Sequence, residues 1–379
     1  MSERRTPWTV WEGVEALAYL YGSSTAAEGQ FRGESDSFDY EQLRAFALQL
    51  SRGLHELGVR RGDVVAVWLP NWIEWILLEF ACARLGAAVL GVNTRFRVHE
   101  IKHVVVTAKP KVVVHPQSFL GIDFAGILTE ASSSAERDGR GTGPAVVLAG
   151  SGEPTAGGGA VHFDDLLARG GDGSRGSGSF GEPTDLANIF TTSGSTSSPK
   201  LAAHSQGALT KHARESALAF DMRQGDSVLG ALPLCGAYGL NSVLAMLSVG
   251  GKVILEPTLN ESSARDRIAR GEVTHLFGGD DVVAKLCAAR DGDPSLGRLR
   301  RGGVANFTGR SSRVMREVEE RSDVRLSGVY GSSELFALAA TWPAEMDVAK
   351  RSRSGGLPVS CDIRWRVVDV DSEEELAEG

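Results

Sequence analysis

The sequence predicts an α/β fold made of two stacked, mostly parallel sheets. Short apolar runs alternate with longer segments in which apolar residues recur at helical spacing, a pattern typical of buried parallel strands covered by helices on both faces. The alternation occurs in both halves of the chain, on either side of a segment rich in glycine and serine. The 379 residues also exceed the usual domain length of about 150, which leaves room for more than one α/β unit.

The first helix that can be predicted with defined ends lies over 40–57, where apolar residues occupy one face. Asp39 and Gln42 have the spacing of a capping box at its start, and Gly58 can end it. Continuous apolar runs and helical periodicity predict the next elements. Strands are expected over 64–68, 87–92 and 111–115, and helices over 71–85 and 98–107.

Between about 131 and 183 the composition shifts to glycine, serine and other small residues. Such a segment cannot bury much apolar area, so a flexible surface insertion is expected there. The alternation then resumes and predicts a second sheet similar in topology to the first. Strands are also expected over 186–190 and 201–204. The second sheet is predicted from the strands expected over 227–232, 252–256 and 273–277, with helices over 206–220, 240–248, 261–270 and 281–289.

Composition excludes several classes of protein. A net charge of -8 provides no basic field for nucleic acid, and the hydrophobic content of 42% is that of an ordinary globular protein. The four cysteines, at 82, 235, 287 and 361, lack C-x-x-C spacing, which argues against a disulfide framework or a zinc site and favours a reducing, cytoplasmic location. The longest apolar stretch, 73–92, contains charged side chains, so no membrane span is expected, and the N-terminus lacks the apolar core of a signal peptide.

One loop concentrates hydroxyl groups together with a glycine and a lysine. Residues 191–200, the phosphate loop, read Thr-Thr-Ser-Gly-Ser-Thr-Ser-Ser-Pro-Lys. Gly194 permits close approach of the backbone to an anion, the hydroxyls and successive N–H groups can surround phosphate oxygens, and Lys200 adds a cation. A Walker A loop matches poorly, because Pro199 and Leu201 stand where it needs glycine and Ser or Thr. Taken alone, the loop leaves both a phosphate site and a solvated turn open.

A second motif, Tyr-Gly-Ser-Ser-Glu at 330–334, favours the phosphate site over the solvated turn. Together the two motifs resemble those of the adenylate-forming superfamily, which includes acyl-CoA synthetases, acyl-AMP ligases and luciferases. The family loop reads Thr-Ser-Gly-Ser/Thr-Thr-Gly-x-Pro-Lys-Gly, so Ser197 and Leu201 depart from it, and Ser333 replaces the threonine of the second motif. Words in the first half, such as Gly-Val-Asn-Thr-Arg at 91–95, also resemble the family core.

The resemblance implies a set of site residues. The expected nucleotide-binding residues are Thr192, Ser193, Gly194, Ser195, Thr196, Lys200, Gly302, Gly303, Val304, Tyr330, Gly331, Ser332 and Ser333. Among these, the backbone of 302–304 is expected to border adenine, Tyr330 to face it from the other side, and Ser333 to bond the α-phosphate. The expected catalytic residues are Lys200, Ser333 and Glu334. Glu334 is also the expected Mg²⁺ ligand, since a hard cation that bridges phosphates prefers carboxylate oxygen. His204 matches a family histidine and is interpreted as structural.

The segment 232–240 resembles the motif that binds the acid substrate in the family, and it follows an expected strand. The implied acid-binding residues are Cys235, Gly236, Tyr238 and Gly239. Many members have an aromatic residue and a histidine where this chain has Cys235 and Gly236, so a roomier or differently shaped pocket is expected. A turn that merely requires glycine is the alternative. Cys235 has no neighbouring base in the sequence and is interpreted as an apolar filler.

The resemblance also implies an organisation and a reaction. Residues 1–183 are expected to form a first subdomain that ends in the insertion, 184–353 a second, and 354–379 the start of a β-rich third, with the small C-terminal domain absent and activity of this chain alone impaired. The implied reaction activates a fatty or aryl acid with ATP and Mg²⁺ to an acyl-adenylate and transfers the acyl group to coenzyme A. Transfer to a carrier-protein phosphopantetheine and a non-catalytic nucleotide- or acyl-binding role remain alternatives. A homodimer is possible.

Overall fold

A computed structural model describes residues 8–137, 143–150, 159–171, 181–192, 200–288, 296–372 and 374–376. It confirms the predicted class, because the described strands form two mostly parallel sheets covered by helices.

The strands are β1 (Thr25–Phe31), β2 (Glu34–Asp39), β3 (Val64–Val67), β4 (Ala88–Gly91), β5 (Val112–Pro116), β6 (Ala145–Ala149), β7 (Val161–His162), β8 (Leu186–Thr192), β9 (Lys200–Ser205), β10 (Ser227–Gly230), β11 (Lys252–Leu255), β12 (His275–Gly279), β13 (Arg301–Ala305), β14 (Arg325–Tyr330), β15 (Ala340–Thr341) and β16 (Leu357–Pro358). The helices are α1 (Val10–Tyr21), α2 (Tyr40–Glu56), α3 (Ile73–Leu85), α4 (Val98–Ala108), α5 (Phe124–Arg137), α6 (Phe163–Arg169), α7 (Gln206–Ala219), α8 (Ala237–Leu247), α9 (Glu261–Ala269), α10 (Asp280–Leu286), α11 (Ser311–Glu319) and α12 (Val348–Arg351), with a short 3₁₀ turn at Ser333–Leu335.

The seven-stranded sheet has the order β7-β6-β5-β3-β4-β8-β9, and only the β8–β9 pair is antiparallel. The nine-stranded sheet has the order β16-β15-β14-β13-β12-β10-β11-β1-β2, with antiparallel pairs at its two edges. Both central regions are parallel, which explains why their strands are continuously apolar rather than alternating.

The two sheets do not follow chain order. The N-terminal strands β1 and β2 lie at the edge of the nine-stranded sheet, whereas β8 and β9, after residue 184, complete the seven-stranded one. No prediction had been made for α1, β1 or β2. The subdomain boundaries at 183 and 353 stay a prediction, and any division at 183 must allow for strands that pass from each half into the other sheet.

Helix α3 joins the sheets into one core. All 13 of its residues are buried, and it contacts β1 of one sheet and β3, β4 and β8 of the other. The burial of α3 explains why the stretch at 73–92 is so apolar although it does not cross a membrane. Its charged residues lie within the protein interior. Helix α2 packs on α3 and begins with the predicted capping box, in which Asp39 accepts from the Gln42 backbone N–H and the Gln42 side chain accepts from the Asp39 N–H.

The interpretation of 131–183 as a surface insertion is wrong for most of its described residues. Residues up to 137 complete α5, β6 pairs with β5 along its whole length, and α6 buries Phe163, Leu166 and Leu167. The error arose because short apolar runs were averaged with the glycine- and serine-rich residues around them. Residues 138–142, 151–158 and 172–180 lie outside the described part of the chain.

The structure also describes the cysteines and the apolar character of the helices. The four cysteines are free thiols: Cys82 and Cys287 are buried, Cys235 is partly buried and Cys361 is exposed. In the part of the chain that the structure describes, no helix has the length and apolar character needed to cross a membrane.

Candidate active site

The β8–β9 hairpin carries the two ends of the phosphate loop. Thr192, the last residue of β8, pairs with Lys200, the first residue of β9. The hairpin therefore brings the lysine next to the start of the loop, as the motif requires. The predicted residues Ser193, Gly194, Ser195 and Thr196 lie outside the described residues.

The second motif follows β14 and forms a turn, residues 331–337, called here the Glu334 turn. It contacts both β8 and β9, so the phosphate-loop hairpin and the second motif meet although they belong to different sheets. Glu334 is exposed. Its pKa is lowered by a hydrogen bond from its own backbone N–H, by one from the Ser332 side chain, and by electrostatic interactions with Lys200 and His204. An ionised carboxylate and an ammonium group thus lie within electrostatic reach of one another.

Glu334 has the properties expected of a Mg²⁺ ligand. The carboxylate is accessible and ionised, and no cluster of three or more His, Cys, Asp or Glu side chains among the described residues could form an all-protein metal cage. Magnesium at phosphate sites is typically held by one or two carboxylates, with the remaining positions filled by phosphate oxygens and water. The donor set therefore fits a metal that arrives together with a polyphosphate.

His204 links β9 to the Glu334 turn. Its Nε2–H donates to the backbone carbonyl of Ser333 at 2.7 Å, and its ring packs against Phe190 and Phe336 with ring centroids 5.8 and 5.6 Å away. Phe336 and Ala337 both have positive φ, 52° and 58°. Side chains other than glycine adopt this region only where the surroundings impose it.

A single hydrogen bond joins the predicted adenine and acid sites. The Tyr238 hydroxyl, at the start of α8, donates to the backbone carbonyl of Gly303 on β13 at 2.8 Å. A Cβ on Gly303 would lie 2.8 Å from Phe277, 2.9 Å from Val329 and 3.0 Å from that hydroxyl, so only glycine fits there. Gly302 is equally constrained, by the Leu276 carbonyl at 2.1 Å, and Val304 is fully buried beside it.

The acid loop, residues 231–239, leaves β10 and enters α8. Asn71 holds it from the seven-stranded side: its amide donates to the carbonyls of Gly230 and Leu232 at 3.0 and 2.9 Å and accepts from the Leu234 N–H at 2.9 Å. Gly91, at the end of β4, packs on the backbone of Cys235, where an added Cβ would lie 2.8 Å away.

Two of the predicted acid-site glycines differ in what they permit. At Gly239 a Cβ would lie 2.3 Å from the Pro233 carbonyl, so the turn itself requires glycine. Gly236 has φ of -107°, and the nearest atom to an added Cβ is the Pro233 carbonyl at 3.5 Å, an ordinary contact. The alternative that Gly236 serves only a strained turn is therefore wrong. Burial raises the pKa of the Cys235 thiol to about 12, in agreement with its interpretation as an apolar filler.

Tyr330, the residue predicted to face adenine, is half exposed at the end of β14. Its ring packs edge-on against Trp365, with ring centroids 5.9 Å apart. The next residue, Gly331, allows the chain to fold back, since a Cβ there would lie 2.5 Å from the Ala337 backbone.

Comparison with known proteins identifies the family to which this chain belongs. The family model described as AMP-binding enzyme matches residues 14–379. The chain belongs to that family. Its resemblance to the adenylate-forming superfamily, inferred from the two motifs, is thereby confirmed.

Two relatives of this AMP-binding enzyme illustrate its similarities. The indoleacetate–CoA ligase of Aromatoleum aromaticum is 30% identical over 330 residues, covering 86% of this chain and 61% of the relative. The 2-hydroxy-7-methoxy-5-methyl-1-naphthoate–CoA ligase of Streptomyces carzinostaticus is 26% identical over 350 residues, covering 88% and 59%. This chain therefore spans about three fifths of the length of these relatives.

Solved structures agree on the fold. An anthranilate CoA ligase in complex with anthranoyl-AMP superposes with a TM-score of 0.83 at 20% identity, covering 99% of this chain and 68% of the other. A long-chain-fatty-acid CoA ligase from Rhodopseudomonas palustris superposes with a TM-score of 0.80 at 23% identity, covering 98% and 86%.

Sequence reasoning missed three residues that shape the site. Asn71 lies in the first half of the chain, where the sequence indicates only a resemblance to the family core, but it fixes the acid loop. Asn241 and Phe336 were not singled out, yet the Asn241 amide donates to the Phe336 carbonyl at 3.0 Å. The signal for Asn241 was present, because it is a fully buried polar residue in an otherwise largely apolar helix.

Proposed function

We propose that this AMP-binding enzyme activates a carboxylic acid with ATP to give an acyl-adenylate and pyrophosphate. The thiol sulfur of coenzyme A then attacks the acyl carbon, the bond to the phosphate oxygen breaks, and AMP leaves. The observation that supports this most strongly is that the Glu334 turn contacts both strands of the phosphate-loop hairpin, whose second strand, β9, begins at Lys200. The adjoining bond between Tyr238 and Gly303 would place the acid site next to the adenine site.

In the first step, a carboxylate oxygen of the acid attacks the α-phosphorus of ATP, and the bond to the pyrophosphate oxygen breaks. Lys200 would hold phosphate oxygens and offset the negative charge that spreads over them, and Ser333 would donate to the α-phosphate. Glu334 would hold Mg²⁺, which supplies further charge neutralisation. Tyr330 and the 302–304 backbone would hold adenine on its two faces.

An aryl or fatty acid is the proposed substrate class. The acid loop presents Cys235 and Gly236, neither of which offers an ionic partner for a substrate amine. Small residues at 235 and 236, where many family members have an aromatic residue and a histidine, favour a bulky apolar acid. The printed names of the two relatives, an indoleacetate and a naphthoate CoA ligase, support the aryl class.

Coenzyme A is the proposed thiol because both relatives are named as CoA ligases. A carrier-protein phosphopantetheine remains the second candidate, and the two are separated by offering each thiol after adenylate has formed. A homodimer and a cytoplasmic location stay predictions.

The proposal is tested with Lys200→Ala. We expect ATP affinity, measured by calorimetry, to fall roughly ten- to hundredfold, because a charge-assisted bond to phosphate contributes about 1.5–3 kcal/mol. Acid-dependent pyrophosphate release should fall with it. Lys111→Ala, which removes an exposed lysine before β5, is the control and should leave both unchanged. A folded Lys200→Ala variant with unaltered ATP affinity would count against the proposal.

A further inference from the structure

The Glu334 turn is held in its conformation by contacts from outside its own segment. Two consecutive residues of the turn, Phe336 and Ala337, adopt the left-handed backbone conformation. Neither is a glycine, the residue that adopts this conformation without steric cost. Within the turn, the Ala337 N–H donates to the Ser332 carbonyl at 2.8 Å. From outside, α8 contributes the bond from Asn241 to the Phe336 carbonyl. The remaining support comes from His204, from the ring of Phe190, and from His212, which packs on Phe336 with ring centroids 5.9 Å apart and interacts with the Ala337 backbone.

His204 is placed to act on the turn at its centre. It lies on β9, four residues after Lys200, and strand residues an even number apart face the same side of a sheet. The carbonyl that it binds belongs to Ser333, the residue directly before Glu334. The buried Phe336 side chain stacks on Phe190 and contacts the His204 ring, so the same imidazole supports the turn on both sides of Glu334.

We propose that His204 is a positioning residue that holds Glu334 in the place where its carboxylate can take the metal of an incoming Mg²⁺–ATP complex. It acts through the Ser333 carbonyl and the Phe336 ring, and touches neither nucleotide nor metal. The inference deepens the proposed function and rests on it. It assigns to His204 a role beyond general support of the fold, because the bond ends one residue from the proposed ligand.

Two kinds of substitution separate the bond from the packing. His204→Phe keeps an aromatic ring between Phe190 and Phe336 but has no N–H to donate. His204→Asn also loses the bond, since its amide nitrogen stands where the nearer ring nitrogen was, and it avoids overpacking if the first variant does not fold. His204→Gln restores a donor at about the reach of Nε2 and should rescue binding.

The measurement is nucleotide affinity by calorimetry, with and without Mg²⁺. We expect His204→Phe and His204→Asn to weaken binding of Mg²⁺–ATP by roughly tenfold to a hundredfold, the usual effect of removing a partner that orients a metal ligand. Binding of ATP in the presence of a chelator should not change. In a Glu334→Gln background, His204→Phe should have no further effect on Mg²⁺–ATP, because the two residues act as one unit.

His115→Phe is the matched control. This buried histidine on β5 also bonds a backbone carbonyl, that of Pro116 at 2.8 Å, and packs on an aromatic ring, but it lies far from the Glu334 turn in the sheet order. It should lower the melting temperature without altering Mg²⁺–ATP affinity.

The inference is overturned if folded His204→Phe or His204→Asn binds Mg²⁺–ATP as the wild type does, or if the loss is equal with and without the metal, or if it persists in the Glu334→Gln background. In those cases acid-dependent pyrophosphate release by the wild type would still uphold the proposed function. Failure of the wild type to bind Mg²⁺–ATP would overturn both.

Discussion

Gly236 and Gly239 differ in whether the acid loop can accept a side chain at their positions. The Gly236 backbone lies in the extended region, with φ of -107° and ψ of 143°, and it precedes the first residue of α8. A side chain there would project from the loop without a backbone clash. The residue is therefore free to vary with the substrate, whereas Gly239, three positions on, is fixed by the Pro233 carbonyl.

The first prediction follows from this contrast. Gly236→His should leave the melting temperature nearly unchanged and make the proposed enzyme selective for smaller acids, because overpacking a pocket costs about 1–3 kcal/mol. Pyrophosphate release across a series of acids of increasing size measures this. Gly239→His is the comparison and should lower stability for steric reasons. A uniform loss across all acids with Gly236→His would exclude a role in selectivity.

At the residue scale, the sequence indicates candidate site residues only where a motif is continuous. The resemblance indicated Lys200 and Glu334 because each lies in a short continuous sequence motif. Asn71 and Phe336 act through backbone groups of distant segments, and their roles depend on how the two sheets meet. No spacing within the sequence contains that information.

At the scale of elements, helix α3 contains two buried carboxyl groups. Glu74 and Glu79 lie on this fully buried helix, and burial raises their pKa values to about 7 and about 8. Asn188 on β8 donates to Glu79 Oε2 at 2.8 Å, but Glu79 Oε1 and Asn188 Oδ1 have no hydrogen-bond partner among the described residues. Glu79 is therefore only half satisfied by its single neighbour.

The second prediction is that Glu79→Gln stabilises the protein at alkaline pH. A carboxyl whose pKa is raised by folding stabilises the native state fully only below its unfolded pKa, near 4.5, and the contribution is lost as pH rises towards 8. Over that window the linked loss approaches about 1.4 kcal/mol per pH unit. The amide introduced by Glu79→Gln does not ionise and can donate to Asn188 Oδ1.

Denaturant unfolding at pH 6.5 and pH 8 tests this. The free energy of unfolding should fall less between the two values in Glu79→Gln than in the wild type. Glu130→Gln, which changes an exposed carboxyl on α5, should behave like the wild type. Equal pH dependence in Glu79→Gln and the wild type would show that Glu79 is already ionised in the native state at neutral pH.

Elements were predictable to the extent that their apolar periodicity was uninterrupted. The prediction for α2 differs from the structure by one residue at its end, because the capping box and one apolar face lie within the segment itself. The prediction failed at β6, a strand of five residues beside a glycine-rich run. Its burial depends on pairing with β5, which local composition does not reveal.

At the scale of the whole molecule, the two sheets are interlocked. Strands cross between the chain halves, the largest buried cluster contains residues of both sheets, and α3 lies between them. Polar contacts also link segments that are distant in the sequence. The Tyr40 hydroxyl on α2 lies within hydrogen-bonding distance of the carbonyl oxygens of Leu247 and Gly251, at 3.0 and 2.7 Å, and Asn71 binds the acid loop.

The last prediction is that the described core unfolds in one calorimetric transition and that Asn71→Ala lowers its midpoint as a whole. The substitution removes three buried or partly buried hydrogen bonds and leaves the Gly230 and Leu232 carbonyls and the Leu234 N–H without that partner, at about 1–3 kcal/mol for each group left unsatisfied. A chain of this size should then melt several degrees lower. Asn260→Ala, which removes only the N-cap of α9 at about 1 kcal/mol, is the control for a loss confined to one sheet. If the sheets folded independently, the wild type would show two transitions, and Asn71→Ala would move one of them while the other stayed in place.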